Sequence, residues 1–228
     1  TAGIVTLTAN WSANEYTISY ELNNGSYGTS HPTSATFDNV VTIDNPTREG
    51  YSFAGWTITS GLNTSTAKHG TTNSTVTSPI ENSSTKIMSK YFKNLTPSGS
   101  VTLSANWSSN TYTLTLDGNG VSVSPTSVSA TYDSTYKDLP NLTRDGYTFN
   151  GWYIGNTKII NGDTVKITSN ATATASWSAV TYTVTLSANG GSVNPTSITV
   201  TYNSTYSNLS APTREGYTFD GWYTASSG

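Results

Sequence analysis

The sequence contains no cysteine and no glutamine, and only 10% of its 228 residues are charged. Without cysteine there is no disulfide framework, no thiol nucleophile and no cysteine-ligated zinc site. The ten basic residues are scattered and the net charge is −3, so no basic patch for nucleic acid is formed. No apolar run approaches the roughly 18 residues of a membrane-spanning helix. We therefore expect no nucleic-acid partner and no membrane span in this segment.

Serine, threonine and asparagine are abundant instead, and together they account for 99 residues. Such a composition alone is typical of a disordered stalk, because low charge and low hydrophobicity specify a core poorly. The chain also contains six Trp, fifteen Tyr and five Phe, and each of these side chains can bury roughly 150–250 Å². Together with the many Thr and Val residues, they favour folded β-structure over disorder or helices.

Three sequence strings recur along the chain. An Arg-x-Gly-Tyr-x-Phe-x-Gly-Trp string occurs at 48–56, 144–152 and 214–222. A string that ends in Trp-Ser occurs at 7–12, 103–108 and 173–178. A short string that begins with Tyr-Thr occurs at 16–18, 112–114 and 182–184. All three strings share offsets of 96 and 70 residues, which indicates an internal repeat.

The string that ends in Trp-Ser marks the last strand of a copy, which we call its closing strand. The offsets predict a closing strand at 1–13, followed by copies of the repeat at 14–109, 110–179 and 180–228. The first copy carries about 26 extra residues in a Thr/Ser/Asn-rich insert at about 57–99. The first thirteen residues contain only the string that ends in Trp-Ser, and the last copy does not contain this string. We therefore expect the sequence to be a window on a longer array.

The second copy predicts a small unit of four strands and one short helix. Alternating residues and turn signals predict strands at 111–116, 128–132, 147–152 and 171–177. Residues 133–140 begin with N-cap types and end at a proline, so we predict one or two helical turns there. This order indicates a strand-dominated α+β fold. Its predicted core consists of Leu116, Val128, Tyr132, Leu139, Tyr147, Phe149, Trp152 and Trp177.

Two repeated features of each copy suggest structural roles. Gly151 predicts a bulge or a close backbone approach that turns Trp152 inward. The three arginines of the chain, Arg48, Arg144 and Arg214, occupy the same turn position in each copy. We expect each guanidinium to cap carbonyl groups or to lie over an aromatic ring. A ligand-binding role would require all three arginines to face one concave surface.

The third copy carries the clearest family pattern. Its sequences Tyr-Thr-Val-Thr-Leu-Ser-Ala-Asn-Gly-Gly-Ser-Val at 182–193 and Pro-Thr-Arg-Glu-Gly-Tyr-Thr-Phe-Asp-Gly-Trp-Tyr at 212–223 closely resemble the Listeria–Bacteroides repeat. This family includes the B-repeat of internalin B, and the resemblance covers nearly the whole chain outside the insert. The first copy departs from the pattern, since none of its tyrosines matches Tyr136.

The resemblance implies tandem β-grasp-like (ubiquitin-like) modules arranged in series. It also implies an extracellular protein, either on the bacterial cell surface or in a secreted fibre. In that family such repeats act as spacers and sometimes as interaction modules, and they bring no catalytic residues. We therefore expect a structural and adhesive segment, acting as a spacer or a fibre-forming stalk. The alternative is a glycan- or host-receptor-binding module, in which Tyr153, Tyr223 or the insert contacts a sugar.

Residue types that carry chemistry in other proteins form no recognisable site here. The two histidines, His31 and His69, lie outside the repeated positions, and the thirteen acidic residues show no ligand spacing and no convergent pair. Asp117 and Asn119 weakly resemble the start of a calcium-binding loop, but the Glu that ends such a loop is missing here. We predict no catalytic, cofactor-binding or metal-binding residues, no cofactor and no enzymatic activity.

The insert is the part of the first copy that the other copies lack. Its apolar residues fit one face of a helix of about ten residues: Ile87, Met88, Tyr91, Phe92 and Leu95. Ile80 adds to this apolar pattern, and three lysines make it locally basic: Lys86, Lys90 and Lys93. Two interpretations follow, a lid that packs on its own copy or a surface that docks a partner.

Residues 3–11 form a predicted closing strand without its own copy, whereas the copy that starts at Tyr182 lacks one. The strands at 101–107 and 171–177 carry no charge, although sheet edges are usually blocked by charge or proline. In one arrangement the polypeptide continues beyond both ends and each strand pairs within its own copy. In the other, residues 3–11 of one molecule complete the last copy of another and build a head-to-tail fibre.

Overall fold

The computed structural model describes residues 3–69, 80–81, 91–207 and 209–224. By its internal contacts the chain divides into two compact units. Unit 1 consists of Thr1–Tyr112, Thr131–Ser134 and Thr164–Ser169. Unit 2 consists of Thr113–Ala130, Thr135–Asp163 and Asn170–Gly228. Within the described ranges, there is no helix of the length and apolarity that crossing a membrane requires.

The described residues form fifteen strands. The first copy contains β1 (Glu15–Glu21), β2 (Ser34–Thr36), β3 (Val41–Thr42), β4 (Tyr51–Ser60), β5 (Lys68–His69), β6 (Ile80–Glu81), β7 (Tyr91–Lys93) and β8 (Gly99–Ser109). The second copy contains β9 (Thr111–Asp117), β10 (Ser127–Thr131), β11 (Tyr147–Ile154), β12 (Thr157–Ile159) and β13 (Ala171–Ala179). The third copy contains β14 (Thr181–Thr185) and β15 (Ser197–Thr201). The strand-dominated fold is therefore confirmed.

The closing strand lies at the centre of the sheet in each of the first two copies. The strand order is β2-β1-β8-β4-β6 in the first copy and β10-β9-β13-β11-β12 in the second. In both sheets the closing strand runs parallel to the first strand of its copy and antiparallel to the strand that carries the Gly-Trp landmark. Because both edges of β8 and β13 are hydrogen-bonded, these strands need no charge to block pairing.

Each of these sheets buries apolar side chains of its closing strand in a core. In the first copy Val101 and Leu103 of β8 pack in a cluster around Trp56. In the second copy Leu114 of β9 and Ala173 of β13 are fully buried. Alternate residues of these strands point to the core, as a pleated strand with one buried face requires.

The predicted bulge at Gly151 is confirmed. The register of β11 against β13 shifts between Phe149 and Gly151, and Gly151 has a φ of +121°, which other residues rarely adopt. This register shift turns the side chain that follows Gly151, Trp152, into the core, where it is 3% exposed. The first copy has the same shift before its landmark Trp56, which is also buried.

The helix predicted over 133–140 is wrong. Asp133 and Asp138 both have φ values near +60°, which no right-handed helix allows. The Tyr136 amide donates to the Asp163 carbonyl oxygen instead of to a residue one turn earlier. This segment is held by a neighbouring loop, so its backbone groups are satisfied without a helix. The α+β class and the β-grasp-like fold are not confirmed, because the elements of the described residues are all strands.

The helix predicted over the insert is wrong for its described part. Residues 91–93 form β7, which pairs with β3 and β5 in a three-stranded sheet. Phe92 and Leu95 are buried in the first copy's core cluster, and this packing supports the interpretation as a lid. Ile87 and Met88 lie outside the described residues. Ile80 belongs to β6, which pairs with β4.

Only part of the predicted core of the second copy is fully buried. Leu116, Leu139 and Trp152 are buried. The other five residues are half-buried: Val128, Tyr132, Tyr147, Phe149 and Trp177. The prediction left out buried residues of the second copy, among them Leu114, Tyr136, Ile159 and Val165.

Candidate functional site

Each copy has a tight turn at its Arg-x-Gly-Tyr sequence. In the first copy the Tyr51 amide donates to the Arg48 carbonyl oxygen over 3.1 Å, and equivalent bonds close the turns at 144–147 and 214–217. The turn glycine has a φ of +76° at Gly50, and the other two have similar values. Such a φ favours glycine, and glycine leaves the outer side of the turn without a side chain.

The arginine of each turn is used within its own copy. The guanidinium carbon of Arg48 lies 3.7 Å from the centre of the Tyr51 ring, and this distance is 4.0 Å in the other two copies. Nη1 of Arg48 also donates to the Asn23 carbonyl oxygen over 3.2 Å. Arg144 and Arg214 make the same two contacts in their copies. The predicted structural role of the three arginines is therefore confirmed.

The ring of Tyr132 lies directly on the turn of the first copy. A Cβ atom at Gly50 would be only 2.2 Å from Cγ of Tyr132. The Tyr51 and Tyr132 rings meet edge to face, with 5.6 Å between their centres. Gly50 and Tyr51 thus form a surface for an incoming aromatic ring, which we call a Gly-Tyr platform. The platform depends on glycine, because any side chain there would displace the ring.

A single residue, Asn110, connects β8 with β9 and is held by two backbone hydrogen bonds. Its amide donates to the Gly50 carbonyl oxygen, and its own carbonyl oxygen accepts from the Tyr132 amide, both over 2.9 Å. The connector, the platform and the ring are therefore tied together by main-chain bonds. We call this set of contacts junction 1.

Asp133 adds a charged contact to junction 1. Its carboxylate accepts a hydrogen bond from Tyr51 Oη over 2.7 Å and pairs with the Lys166 ammonium group. The bond from Lys166 and then that from Tyr51 lower the pKa of Asp133 below its usual range. The bond to Asp133 raises the pKa of Lys166. Because both groups are exposed, this pair orients the junction more than it stabilises the fold.

The same arrangement recurs at junction 2, with the ring of Tyr202 on Gly146. A Cβ atom at Gly146 would be 2.3 Å from the Tyr202 ring, and the Tyr147 and Tyr202 rings are 5.6 Å apart. The one-residue connector Val180 donates to the Gly146 carbonyl oxygen and accepts from the Tyr202 amide, both over 2.8 Å. Asn203 takes the place of the aspartate, so the carboxylate of junction 1 has no counterpart here.

The third copy has a Gly-Tyr platform that carries its own arginine but, among the described residues, no aromatic ring of another copy. Nothing lies within 4 Å of a Cβ position at Gly216. Tyr217 is 67% exposed, although Arg214 covers one of its faces as in the other copies. Among the described residues, two platforms therefore carry a tyrosine ring from the following copy and the third carries none.

The junctions were not predicted from the sequence, although a signal for them is present. The residue that lies on a platform follows a threonine and precedes Asp or Asn, at 131–133 and at 201–203. The first copy has the same pattern at 36–38, with Phe37 as the aromatic residue. Tyr132 and Tyr147 are only half-buried because their rings pack at junctions instead of inside one core.

The residues considered for metal binding make ordinary local contacts. The described ranges contain no group of three acidic or histidine side chains that could hold a metal ion. Asp117 Oδ1 accepts a hydrogen bond from the Asn119 amide over 2.9 Å, which closes a local turn. The His31 ring stacks on Tyr27, with 4.3 Å between ring centres. The side chain of His69 lies outside the described residues.

The two tyrosines of the glycan-binding alternative differ in exposure. Tyr223 is exposed, as a sugar-stacking residue would be, whereas Tyr153 on β11 is half-buried.

Small sheets that follow one another through one-residue connectors and stacked turns define a tandem-repeat protein. The chain belongs to the Listeria-Bacteroides repeat domain family, whose model matches residues 16–106, 112–176 and 182–228. A protein of Evansella cellulosilytica named "Putative membrane protein" is 28% identical over 222 residues, which are 96% of this chain and 29% of that protein. Internalin H of Listeria monocytogenes is 35% identical over 120 residues, which are 51% of this chain and 21% of Internalin H.

The chain therefore spans less than a third of the length of either relative. No solved structure shows a significant match to it.

Proposed function

We propose that this chain is a spacer segment of a bacterial surface protein, in which small sheets in series hold other parts at a set separation. Membership in the Listeria-Bacteroides repeat family supports this function. The name of the Evansella relative describes a membrane protein, which supports a place at the cell surface. The expected extracellular location and the adhesive role are part of the same proposal.

The observation that carries the proposal is the repetition of one junction. Gly50 and Gly146 each receive a tyrosine ring, and each glycine accepts a hydrogen bond from the connector that follows. A one-residue connector whose amide and carbonyl are both bonded retains little rotational freedom. A spacer needs this property, because a flexible linker would let neighbouring modules collapse on each other.

Distances between spin labels test the stiffness of junction 1. Because the chain has no cysteine, Asn39→Cys and Ser129→Cys provide unique labels at exposed positions of the first and second copies. Double electron–electron resonance should give one narrow distance distribution. Gly50→Ala should broaden that distribution, since its Cβ atom would displace the Tyr132 ring.

Gly216→Ala is the matched control. Gly216 has nearly the same φ as Gly50, +78° against +76°, but faces open space. Both substitutions therefore impose the same backbone strain, and only Gly50→Ala disturbs a junction. A broad distribution in the unsubstituted chain, or equal broadening in both variants, would refute the spacer function.

A further inference from the structure

The sheet of the second copy has one face that is not part of its core. Ala173 and Ala175 of β13 are buried on the core side. Thr172, Thr174 and Ser176 alternate with them, so their hydroxyl groups lie on the opposite side of the sheet. All three of these residues are exposed or half-buried. We call this side of the sheet the outer face.

The strand register places side chains of four neighbouring strands in one row across the outer face. Thr174 of β13 lies opposite Tyr153 of β11 and, on its other side, opposite Asp117 of β9. Tyr153 in turn lies opposite Lys158 of β12. Because neighbouring strands are about 4.8 Å apart, the row spans about 14 Å. We call these residues the Tyr153 row.

The Tyr153 ring has one side against the sheet and one side free. Its neighbour Trp152 is buried in the core, so Tyr153 is directed to the outer face. Tyr153 is half-buried there, although Asp117 and Lys158 in the same row are exposed. A ring that is half-buried on such a face rests on the neighbouring strands with one side and turns the other side to solvent. It presents a flat apolar surface and, with few rotatable bonds, loses little conformational entropy on binding.

The Lys158 side chain lies across the bulge glycine of β11. A Cβ atom at Gly151 would be 2.7 Å from Cε and 3.3 Å from Nζ of Lys158. Any other residue at this position would displace the lysine, so glycine both forms the bulge and gives Lys158 its place. Within the described ranges, no carboxylate pairs with Lys158. Its ammonium group therefore keeps its donors for a ligand.

Asp117 and Thr174 also have hydrogen-bonding capacity that the described part of the chain does not use. Asp117 Oδ1 accepts a hydrogen bond from the Asn119 amide, and Oδ2 accepts none from a described residue. The Thr174 hydroxyl group has no hydrogen-bond partner among the described residues either. The Tyr153 row therefore offers, in order, a carboxylate acceptor, a hydroxyl group, an aromatic ring and an ammonium donor.

We propose that the Tyr153 row binds a neutral glycan whose sugar rings form a flat ribbon, as they do in cellulose and chitin. Each sugar ring has a face of C–H groups that packs on an aromatic ring, and hydroxyl groups at its edge that both donate and accept. Asp117 accepts from these hydroxyl groups and Lys158 donates to them. A flat ribbon fits a sheet face that has no walls. This binding is a function beyond the spacer function and does not depend on it.

The chemistry of the row favours a glycan over a protein or a nucleic acid. The centres of protein interfaces are enriched in aromatic residues but depleted in lysine and aspartate, and the Tyr153 row contains both of these. A polyanion would be repelled by Asp117 and by the net charge of −3. A neutral ligand that carries donors and acceptors side by side satisfies both charged groups at once.

The first copy has the same row without the aromatic ring. Thr57 of β4 lies opposite Ser104 of β8, which lies opposite Glu21 of β1. Thr57 thus stands where the second copy has Tyr153, and its hydroxyl group already accepts from Asn106 Nδ2 over 2.8 Å. The sheet forms with either residue, so Tyr153→Thr should keep the fold, and the row of the first copy should not bind the glycan.

Amide NMR spectra of the full chain, titrated with cellohexaose and separately with chitohexaose up to about 10 mM, test the site. At least one of these flat oligosaccharides should shift the amide signals of β9, β11, β12 and β13, and it should leave those of β1, β4 and β8 unchanged. Maltohexaose has equally many sugar rings but coils, so it should bind at least roughly 10-fold more weakly.

Tyr153→Thr should weaken binding by at least roughly 10-fold, because the stacking surface is lost. Tyr153→Phe is the matched control, since it keeps the ring, and it should bind within a few-fold of the unsubstituted chain. Lys158→Met keeps a side chain across Gly151 without the ammonium group, and Asp117→Asn keeps the acceptor for Asn119. Each of these two variants should weaken binding by roughly 3- to 10-fold.

Three results would overturn the proposal: no shift with either flat oligosaccharide, equal binding of maltohexaose, or full binding by Tyr153→Thr. Outer-face amide signals that shift with protein concentration in the absence of sugar would assign this face to a second copy of the chain instead. Lys158 is exposed, so Lys158→Met tests the site even if a variant at Tyr153 unfolds. The spin-label distances are measured without sugar, so failure of the spacer function is recognised separately.

Discussion

The second and third copies share their landmark sequence but differ in how much of the sheet is formed. The second copy has five strands around the central β13, and its Trp152 is buried. In the third copy β14 and β15 are the strands among the described residues, and Trp222 is half-buried. In the second copy the closing strand β13 pairs on both edges and supplies part of the core, so the burial of Trp152 accompanies a fully paired central strand.

The largest expected difference between the copies concerns their landmark tryptophans. Trp152→Ala should reduce the free energy of opening of the second copy by about 3–5 kcal/mol, since it leaves a large cavity. Trp222→Ala should cost less than about 2 kcal/mol, because less apolar surface is buried around Trp222. Native-state hydrogen exchange of the β13 and β14 amides measures both effects. Equal costs for Trp152→Ala and Trp222→Ala would contradict the difference between the two copies in how deeply the landmark tryptophan is buried.

The next effect concerns the turn glycines of the same two copies. Gly146→Ala and Gly216→Ala should both cost about 1 kcal/mol, because alanine is strained at their positive φ. Gly146→Ala should cost roughly a further 1–3 kcal/mol, since its Cβ atom collides with the Tyr202 ring. Urea unfolding followed by circular dichroism compares the two variants. A Gly216→Ala variant as unstable as Gly146→Ala would show that occupied and open platforms are equivalent.

The smallest effect is a difference in pH response between the junctions. The pKa of Asp133 is lowered in the folded chain. The stabilisation that its carboxylate gives to junction 1 is therefore present above the ordinary pKa of 3.8 and is lost at lower pH. The pKa of Lys166 is raised, so the stabilisation that its ammonium group gives to junction 1 is present below the ordinary pKa of 10.5 and is lost at higher pH. Junction 1 should therefore loosen in acid, which the spin-label distribution measures.

Asp133→Asn should remove the acid response of junction 1. Asn203→Asp is the complementary variant, because it places a carboxylate at junction 2. The unsubstituted junction 2 has Asn203 at this place, so labels across it should show no such acid response. An acid response of equal size at both junctions would show that Asp133 is not its cause.

The strands of the second copy could be predicted from the sequence because their burial follows a simple period. Leu114 and Leu116 are buried while the adjacent Thr113 and Thr115 are exposed, so the alternation is visible in the sequence. Gly151 was equally informative, since a glycine within a strand signals a bulge. The helix predicted over 133–140 was wrong because Asp133, a residue type that often begins a helix, here adopts a positive φ.

The candidate site could not be predicted because it depends on contacts between distant residues. Gly50 and Tyr132 are 82 positions apart, and no local pattern shows that one ring covers the other turn. The stacking of Arg48 on Tyr51 was predictable, because those two residues share one turn. The sequence does contain a signal, an aromatic residue between Thr and Asp or Asn that recurs in each copy. The glycine turn on which this aromatic residue packs is known only from the fold.

The parallel pairing of β9 with β13 has a mechanical consequence. The chain enters the second copy at Thr111 and leaves it at Ala179, and these residues lie at opposite ends of the paired strands. A stretching force on the polypeptide would thus slide the two strands along each other, and their hydrogen bonds would share the load instead of opening one after another. A molecule exposed to flow or traction could in this way keep its modules folded under tension.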